Sequence, residues 1–448
     1  MTEREEALDV LIAVLERGEY LSDAVEHLSG KTEGSGKRQP LKEPKTGAEN
    51  GAGEEKQRQH RRYIKRVTKG VIERAIELDF RLNRIAAKKV RRMHPVVRNI
   101  LRLGAYELLY MDSIPASASV NECVKLAKRR GQARAGGMVN AVLRRLSAPA
   151  QEFDKDAVSD FSVRYSMPEW IVKAWVDRFG IARTEEMLRA FLQEKPLTVR
   201  VNRSRVSVAE LQERLANAGI RAERVKEAPA ALACCRGDEM LHWPGFAEGL
   251  FYIQDVSSMQ VCTLADIRPG ESVLDVCAAP GGKALHAADL VGENGRVEAR
   301  DVSERKIRRI RENIRRCRFT NISARVWDAA VFDEDSAGKY DVVLADVPCS
   351  GLGVLGRKPE IKYRLTEQDI IDLAQIQRNI LECVHSYVKS GGRLVYSTCT
   401  ISEAENEKQT AGFLKRHKEY EKIAEKQLLP RTDAIGDGFY ICVMKRNG

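Results

Sequence analysis

Between residues 270 and 400 the chain repeats one pattern: a turn rich in glycine or polar residues, a short β-favouring apolar run, then a stretch of helical spacing. Gly338 to Ala345 reads as a turn feeding a strand at Val342-Val343-Leu344, and Gly391-Gly392-Arg393-Leu394-Val395-Tyr396 repeats it after an intervening helix. Two strands joined by a helix imply a parallel pair. Val273-Leu274-Asp275-Val276 reads as another strand, running into Cys277-Ala278-Ala279-Pro280-Gly281-Gly282-Lys283 and a helical stretch from Ala284 to Leu290. Gly295 to Asp301 and Ala324 to Asp328 read as two more short strands, each ending on an aspartate, and Asp437 to Arg446 as a closing strand.

The first 150 residues carry a different period. Leu8, Leu11, Ile12 and Leu15 lie on one helical face, so residues 1–29 read as one helical segment. The same spacing returns from Tyr63 to Leu146, through Val67, Val71 and Ile72 and then Val97, Ile100, Leu101 and Leu108. Residues 30–62 interrupt it. They hold six glycines and two prolines, with Leu41, Ala48 and Ala52 as their apolar positions, and are expected to be a disordered insertion. In the middle region Trp170, Ile171, Ala174, Trp175 and Phe179 keep helix spacing. Pro196 to Asn202 reads as a strand, and Ser207 to Ala218 as a capped helix closed by Gly219. Residues 1–149, 150–245 and 246–448 are the expected domains, with a helical first domain, a small α/β connector and a doubly wound α/β third domain.

Charge adds a partner class. The 448 residues carry a formal net charge of +11, which favours a polyanion. Eight cations stand between Arg305 and Arg318 against Glu312, with Ile307, Ile310 and Ile314 at core spacing; this face suits RNA or simply solvent. Lys125, Lys128, Arg129, Arg130, Arg134, Arg144 and Arg145 form a second basic cluster. The start lacks the apolar core of a signal peptide and no run is long enough for a membrane span, so a soluble, cytoplasmic protein is expected. Ten cysteines without a secretory segment suit reduced thiols. There is no C-x-x-C, and the seven histidines form no cluster with cysteine, so no metal site is expected. Oligomeric state leaves no mark; a monomer is the default.

Candidate chemistry collects at the strand ends. Asp346-Val-Pro-Cys349-Ser-Gly351 and Ser397-Thr-Cys399-Thr400 each close an apolar strand, and in parallel sheets ligands lie beyond the carboxyl ends. Asp346, Cys349 and Cys399 should therefore share one cleft. The glycine turn at Gly281-Gly282 admits close approach of a ligand to backbone amides, and aspartates at successive strand ends suit ribose hydroxyls and an amino group. An aspartate in such a position is equally a helix cap or turn former. Cys123, Cys262, Cys317, Cys383 and Cys442 read as packing residues.

The set Asp275-Val-Cys-Ala-Ala-Pro-Gly-Gly-Lys283, Asp346-Val-Pro-Cys-Ser-Gly351 and Ser397-Thr-Cys-Thr400 with Glu405-Asn406-Glu407 resembles the RNA cytosine-5 methyltransferases that use S-adenosylmethionine, and within them the Sun/Fmu (RsmB) branch acting on bacterial 16S ribosomal RNA. Asn121 to Ala127 and Met138 to Arg145 resemble the NusB-like helical domain of that branch, so the resemblance spans nearly the whole chain. It implies a NusB-like RNA-binding domain, a small RNA-binding connector and a Rossmann-like methyltransferase. It also implies a cofactor site at Cys277, Ala278, Ala279, Pro280, Gly281, Gly282, Lys283, Asp301, Asp328 and Asp346. Cys399 would be the nucleophile, Cys349 would assist product release, and Asp346 would stabilise charge at cytosine N3, either protonated or sharing a proton with the ring. Gly356 stands where the family often has arginine and Tyr363 where tryptophan is common, which puts one RNA contact in doubt.

Three alternatives stay open. A DNA cytosine-5 methyltransferase would use the Pro-Cys cysteine, Cys349, as its nucleophile. A transfer RNA or other RNA methyltransferase would share all these motifs. A NusB-like transcription or ribosome-assembly factor would keep the fold without activity.

Overall fold

The structure is a computed structural model that describes residues 1–32, 50–146, 157–235 and 237–448. It divides into two compact units: residues 1–192 with 355–364, and residues 193–354 with 365–448. These boundaries differ from a three-way split near residues 150 and 246. The expected connector is divided between them: its residues up to 192 go with the first unit, and the rest, with its strands and the helix Val208–Asn217, go with the second.

The first unit opens with ten helices: α1 (Glu3–Arg17), α2 (Leu21–Thr32), α3 (Asn50–Glu73), α4 (Ala75–Ile85), α5 (Pro95–Tyr110), α6 (Ala116–Arg129), α7 (Gly136–Leu146), α8 (Ala157–Arg164), α9 (Glu169–Phe179) and α10 (Ile181–Leu192). The amino-terminal stretch is two helices, because Gly18 adopts φ 73° and ends α1. Of the segment expected to be disordered, residues 33–49 lie outside the described residues. Asn50 to Arg62 already belong to α3, where His60 Nε2 meets Glu6 Oε2 at 2.9 Å. Leu8, Leu11, Val67, Val71, Ile72, Ile100 and Leu101 form one buried core. Glu107, fully buried, receives Arg4 Nε at 3.0 Å and the Ser119 hydroxyl at 2.6 Å, and Tyr63 donates to it as well. Trp175 stacks on Phe191, with ring centroids 5.7 Å apart.

The second unit begins with an antiparallel sheet of β1 (Leu197–Val201), β2 (Ala222–Val225), β3 (Ala228–Cys234) and β4 (Phe251–Ile253), in the order β2-β3-β1-β4. Its helix α11 (Val208–Asn217) is capped by the Ser207 hydroxyl on Glu210 N. The short helices α12 (Gly237–His242) and α13 (Pro244–Ala247) precede β4, and α14 (Val256–Leu264) leads into a seven-stranded sheet. That sheet comprises β5 (Ser272–Asp275), β6 (Arg296–Asp301), β7 (Ile322–Val326), β8 (Tyr340–Asp346), β9 (Val388–Thr398), β10 (Tyr420–Leu428) and β11 (Phe439–Arg446). Helices α15 (Gly282–Val291) and α16 (Glu304–Cys317) connect its early strands. At Leu355 the chain leaves for the first unit, where it forms α17 (Ile361–Arg364), and it returns with α18 (Glu367–Val384), β9 and α19 (Glu407–Arg416).

The strand order is β10-β11-β9-β8-β5-β6-β7. β8 and β9 pair in parallel, Asp346 opposite Ser397, as the two apolar runs predict. β11 is antiparallel to both of its neighbours. Alternation sorts side chains to two cores. Val342, Leu344 and Val395 face Leu285, Ile307 and Ile310, whereas Val343, Leu394 and Tyr396 face Ile380, Leu381 and Phe413. Helices therefore cover both faces of a doubly wound α/β sheet. Asp275 and Asp301 end their strands, but β7 stops at Val326, so Asp328 lies in the turn beyond it.

The segment 355–364 places Gly356 and Tyr363 in packing positions of the first unit. A Cβ at Gly356 would come within 3.1 Å of Phe191 O. The Tyr363 hydroxyl donates to Ile72 O at 2.7 Å, and Lys362 Nζ, buried, donates to Glu73 O at 2.7 Å.

Candidate active site

Two loops carry the cysteines. After β8 the chain runs Val347-Pro348-Cys349-Ser350, and after β9 it runs Cys399-Thr400. Val347 N donates to Ser397 O at 3.1 Å and Gly353 N to Cys399 O at 3.0 Å, so the loops are laced by their backbones. At Gly353 a Cβ would fall 2.0 Å from Gly438 O, which leaves room for no other residue. The result is a pair of half-buried thiols with Cys349 Sγ 3.3 Å from Cys399 Sγ. The contact with Cys399 and burial together hold the Cys349 thiol well above its ordinary pKa, so Cys349 carries a proton at neutral pH.

The clamp beneath the thiols is Glu405, which is fully buried. Its Oε1 accepts Ser350 N at 2.8 Å and Gln377 Nε2 at 3.0 Å; its Oε2 accepts the Ser350 hydroxyl at 2.5 Å. The hydroxyls of Ser350 and Thr400 meet at 2.7 Å, so the residues that follow the two cysteines are joined through one carboxylate. Asn406 braces the other side of the Cys399 turn, accepting from the Thr398 hydroxyl at 2.6 Å and donating to Thr400 O at 3.1 Å. Glu405 and Asn406 were visible in sequence as part of the motif that follows Cys399. Gln377 was not, because nothing distinguishes one glutamine on a helix until its partner is known.

Asp346 stands at the mouth of the same sheet. Its Oδ1 accepts the Ser397 hydroxyl at 2.8 Å and its Oδ2 accepts Lys283 Nζ at 2.6 Å. Burial alone would lower the Lys283 pKa, but the Asp346 carboxylate outweighs it and holds Lys283 protonated. Behind this pair lies Asp275, fully buried, a residue the sequence reading gave no role. Its oxygens make no hydrogen bond of standard geometry, although the Cys277 amide acts on it weakly. Desolvation and the Asp346 charge push its carboxyl up to about 7, against the pull of Lys283.

The glycine turn joins β5 to α15. Gly281 takes φ 108°, and no side chain caps the amino terminus of α15. Asp301 accepts Ala279 N at 3.2 Å and pairs with Lys306 Nζ at 3.2 Å. Asp328 accepts Ala330 N at 2.9 Å in its own turn, the local role open to any turn aspartate. The structure thus gathers Asp275, Asp346 and Lys283 around one point and places Asp301 against the Ala279 amide; it records no contact between these groups and Asp328.

The basic stretches separate into two kinds. On α16, Arg316 donates to Phe246 O at 2.7 Å and Phe251 O at 3.0 Å, and Arg311 Nη2 reaches Ala324 O at 3.0 Å, so these cations fasten the fold. In the first unit Arg130 pairs with Asp9, and Arg129 with Glu122 at 3.4 Å. Lys125 also pairs with Glu122, at 2.7 Å, and with Lys128 it lines a surface groove of about 460 Å³ beside Asn121, Gly136, Gly137 and Asn140. Among the described residues no helix is long and apolar enough to cross a membrane.

Two outcomes follow from the buried carboxylates. Glu405→Ala strands the Ser350 amide and the Gln377 side chain, and thermal or urea unfolding should show a loss of about 2–4 kcal/mol. Asp275 has a folded pKa above its unfolded value. Its ionisation therefore costs nothing below about pH 4, erodes stability as pH rises towards 7, and reaches its full cost above that, with a ceiling of about 4 kcal/mol. Asp275→Asn should raise the Tm more at pH 8 than at pH 4.5; an equal shift at both would mean the carboxyl is not strained.

Comparison with known proteins accords with this geometry. Residues 262–445 match the family described as 16S rRNA methyltransferase RsmB/F, residues 1–148 the NusB family, and residues 167–235 the ferredoxin-like domain of RsmF/B-like methyltransferases. The probable ribosomal RNA small subunit methyltransferase B of Bacillus subtilis is 35% identical over 412 residues, covering 87% of this chain and 91% of the relative. The ribosomal RNA small subunit methyltransferase B of Serratia proteamaculans is 33% identical, covering 81% and 85%. A methyltransferase homolog from Pyrococcus horikoshii superposes with a TM-score of 0.57 at 27% identity, over 65% of this chain and all of that one. The crystal structure of PH0851 shares the fold with a TM-score of 0.80 at 23% identity, over 99% of each chain. An amino-terminal NusB helical domain ahead of a methyltransferase sheet, with this identity over most of the chain, means that the chain belongs to the ribosomal RNA small subunit methyltransferase B family.

Proposed function

We propose that this RNA methyltransferase transfers a methyl group from S-adenosylmethionine to carbon 5 of a specific cytosine in 16S ribosomal RNA, through a covalent adduct with Cys399. The observation that carries the reading is the thiol pair, Cys349 and Cys399 at 3.3 Å, beside Asp346 at the ends of two adjacent parallel strands.

The residues fit the cofactor on their own chemistry. The uncapped amides of α15 suit a carboxylate, and the buried acids Asp275 and Asp301, with Asp346, suit a cationic ligand and ribose hydroxyls. Cys277 to Lys283, Asp301, Asp328 and Asp346 would hold it. When bound, it supplies an activated methyl group.

Carbon 5 of cytosine is a weak nucleophile until a thiolate adds to carbon 6. Cys399 forms that bond. Asp346 supports the proton gained at N3, and because Lys283 and Ser397 occupy its two oxygens, the base would take the place of one of them. After methylation the carbon 5 proton passes to solvent water, its electron pair restores the double bond between carbons 5 and 6 as the bond to Cys399 breaks and leaves that sulfur a thiolate, and the proton at N3 is released. Cys349, 3.3 Å from Cys399, is placed to return a proton as that thiolate departs. A target base must leave its stack to reach these thiols, which suits single-stranded or loop RNA, and the groove with Lys125 and Lys128 suits its phosphates.

Radiolabelled methyl transfer to unmodified 16S ribosomal RNA, followed by bisulfite mapping, should give one protected cytosine. Cys399→Ala should lower transfer by at least about a thousandfold, in the range seen when a covalent nucleophile is removed. Cys349→Ala should leave a protein–RNA adduct that survives denaturing electrophoresis. An adduct from Cys399→Ala instead would assign the nucleophile to Cys349, and no transfer to any RNA would favour a non-catalytic assembly factor.

A further inference from the structure

A second cluster of ligating side chains lies at the beginning of β9, the opposite end of that strand from Cys399. An eleven-residue strand spans roughly 35 Å, so the cluster is remote from the thiols. His385 opens the turn between α18 and β9, His417 follows the last residue of α19, and Glu419 immediately precedes β10. The imidazole centroids are 4.1 Å apart. Phe413 stacks on His417 at 4.4 Å and Tyr420 meets His385 edge-on at 6.1 Å, so both rings are oriented by aromatic packing.

The hydrogen bonds leave an electrostatic question. His417 Nε2 lies 2.8 Å from Glu382 Oε2, while its Nδ1 lies 3.1 Å from Glu419 Oε1. A neutral His417 that donates to Glu382 turns the lone pair of Nδ1 towards a second carboxylate, which is repulsive unless a cation stands between them. A proton there would satisfy His417 and Glu419 and nothing else. His385 Nδ1, buried and without a hydrogen bond, lies 3.9 Å from the same Glu419 oxygen. A metal ion would satisfy all three.

We propose that His385, His417 and Glu419 bind a divalent transition metal of the zinc type, with Glu382 as the carboxylate that orients His417. The three ligand atoms lie within 4.8 Å of one another. Zinc–nitrogen and zinc–oxygen bonds of about 2.0–2.2 Å need ligands some 3.3–3.5 Å apart; Glu419 Oε1 already stands 3.1 Å from His417 Nδ1 and 3.9 Å from His385 Nδ1, so the closure asked of it is small. Carboxylate–histidine–metal relays of the Glu382 kind fix the ring and raise its basicity. Two cations oppose metal entry: Arg416, held by the other oxygen of Glu382 at 2.6 Å, and Arg446, which donates to Val388 O at 2.6 Å. The bound ion would tie the ends of α18 and α19 to the edge of the sheet, a structural role with water completing the coordination. The expectation of no metal site rested on cysteine spacing, and this donor set contains no cysteine.

The test is calorimetric titration of zinc chloride into the chelator-stripped full chain under a phosphine reductant, with thermal unfolding alongside. One zinc per chain should bind and raise the Tm, and binding should persist in the Cys349→Ser/Cys399→Ser double variant. Affinity should fall by at least about tenfold in His417→Ala and in Glu419→Gln, and by about tenfold in Glu382→Gln. Methyl transfer should be unchanged in Glu419→Gln, which alters an exposed side chain and keeps the fold testable. Equal affinity in Glu419→Gln and His385→Asn, loss of binding in the double cysteine variant, or no binding at about 100 μM zinc, far above structural-site affinities, would each overturn the proposal.

Discussion

One buried carboxylate sets the geometry on which the candidate chemistry depends. Glu405 accepts from the amide and hydroxyl of Ser350 and from Gln377, and through Ser350 it reaches Thr400. Each cysteine is therefore followed by a residue held in the same network. Gln377 extends the clamp to α18 and to Pro348 O at 3.0 Å, and Tyr396 closes it from β9 by donating to Glu405 O at 2.5 Å. A carboxylate in this position is tolerable because each oxygen has donors; stripped of them it would ionise only at a heavy cost.

The clamp suits the different tasks proposed for the two thiols. Nucleophile and proton carrier must stand within reach of one carbon–sulfur bond, and a loose loop on either strand would separate them. Register supplies the coarse alignment, with Asp346 opposite Ser397 in parallel strands, and the Glu405 network supplies the fine one. The acids behind it do something else. Asp275, Asp346 and Lys283 keep a pocket of mixed charge in which one carboxyl stays close to neutral, a strained arrangement of the kind that clusters at ligand sites.

The fold also explains why a basic sequence is an unreliable map of an RNA surface. Arg316 and Arg311 on α16 stood out in the chain as parts of a run of cations, yet their guanidinium groups satisfy backbone carbonyls within the unit. Lys125 and Lys128, from the second basic cluster, line an open groove, Lys125 while paired with Glu122. A guanidinium with a free carbonyl nearby will take it, and only the folded neighbourhood shows which cations have been so used.

Much of the architecture was legible in the chain, because it follows from periodicity. Strands β5, β6, β8, β9 and β11 lie where the apolar runs and glycine turns put them, and the helical core follows from Leu8, Leu11, Val67 and Val71. β10 was missed because it is an edge strand with mostly exposed residues, Lys and Glu among them, and edge strands need no alternation. The start of α3 was missed because glycine-rich composition weighs against helix, while tertiary packing, such as His60 against Glu6, favours it. The placement of Asp346, Cys349 and Cys399 at strand ends came from sequence alone, since chain direction in a parallel sheet dictates which end they occupy. Their 3.3 Å approach, the burial of Asp275, the partner of Gln377 and the meeting of His385 with His417 and Glu419 did not. Each depends on distances between residues far apart in the chain, and only the packed structure sets those distances.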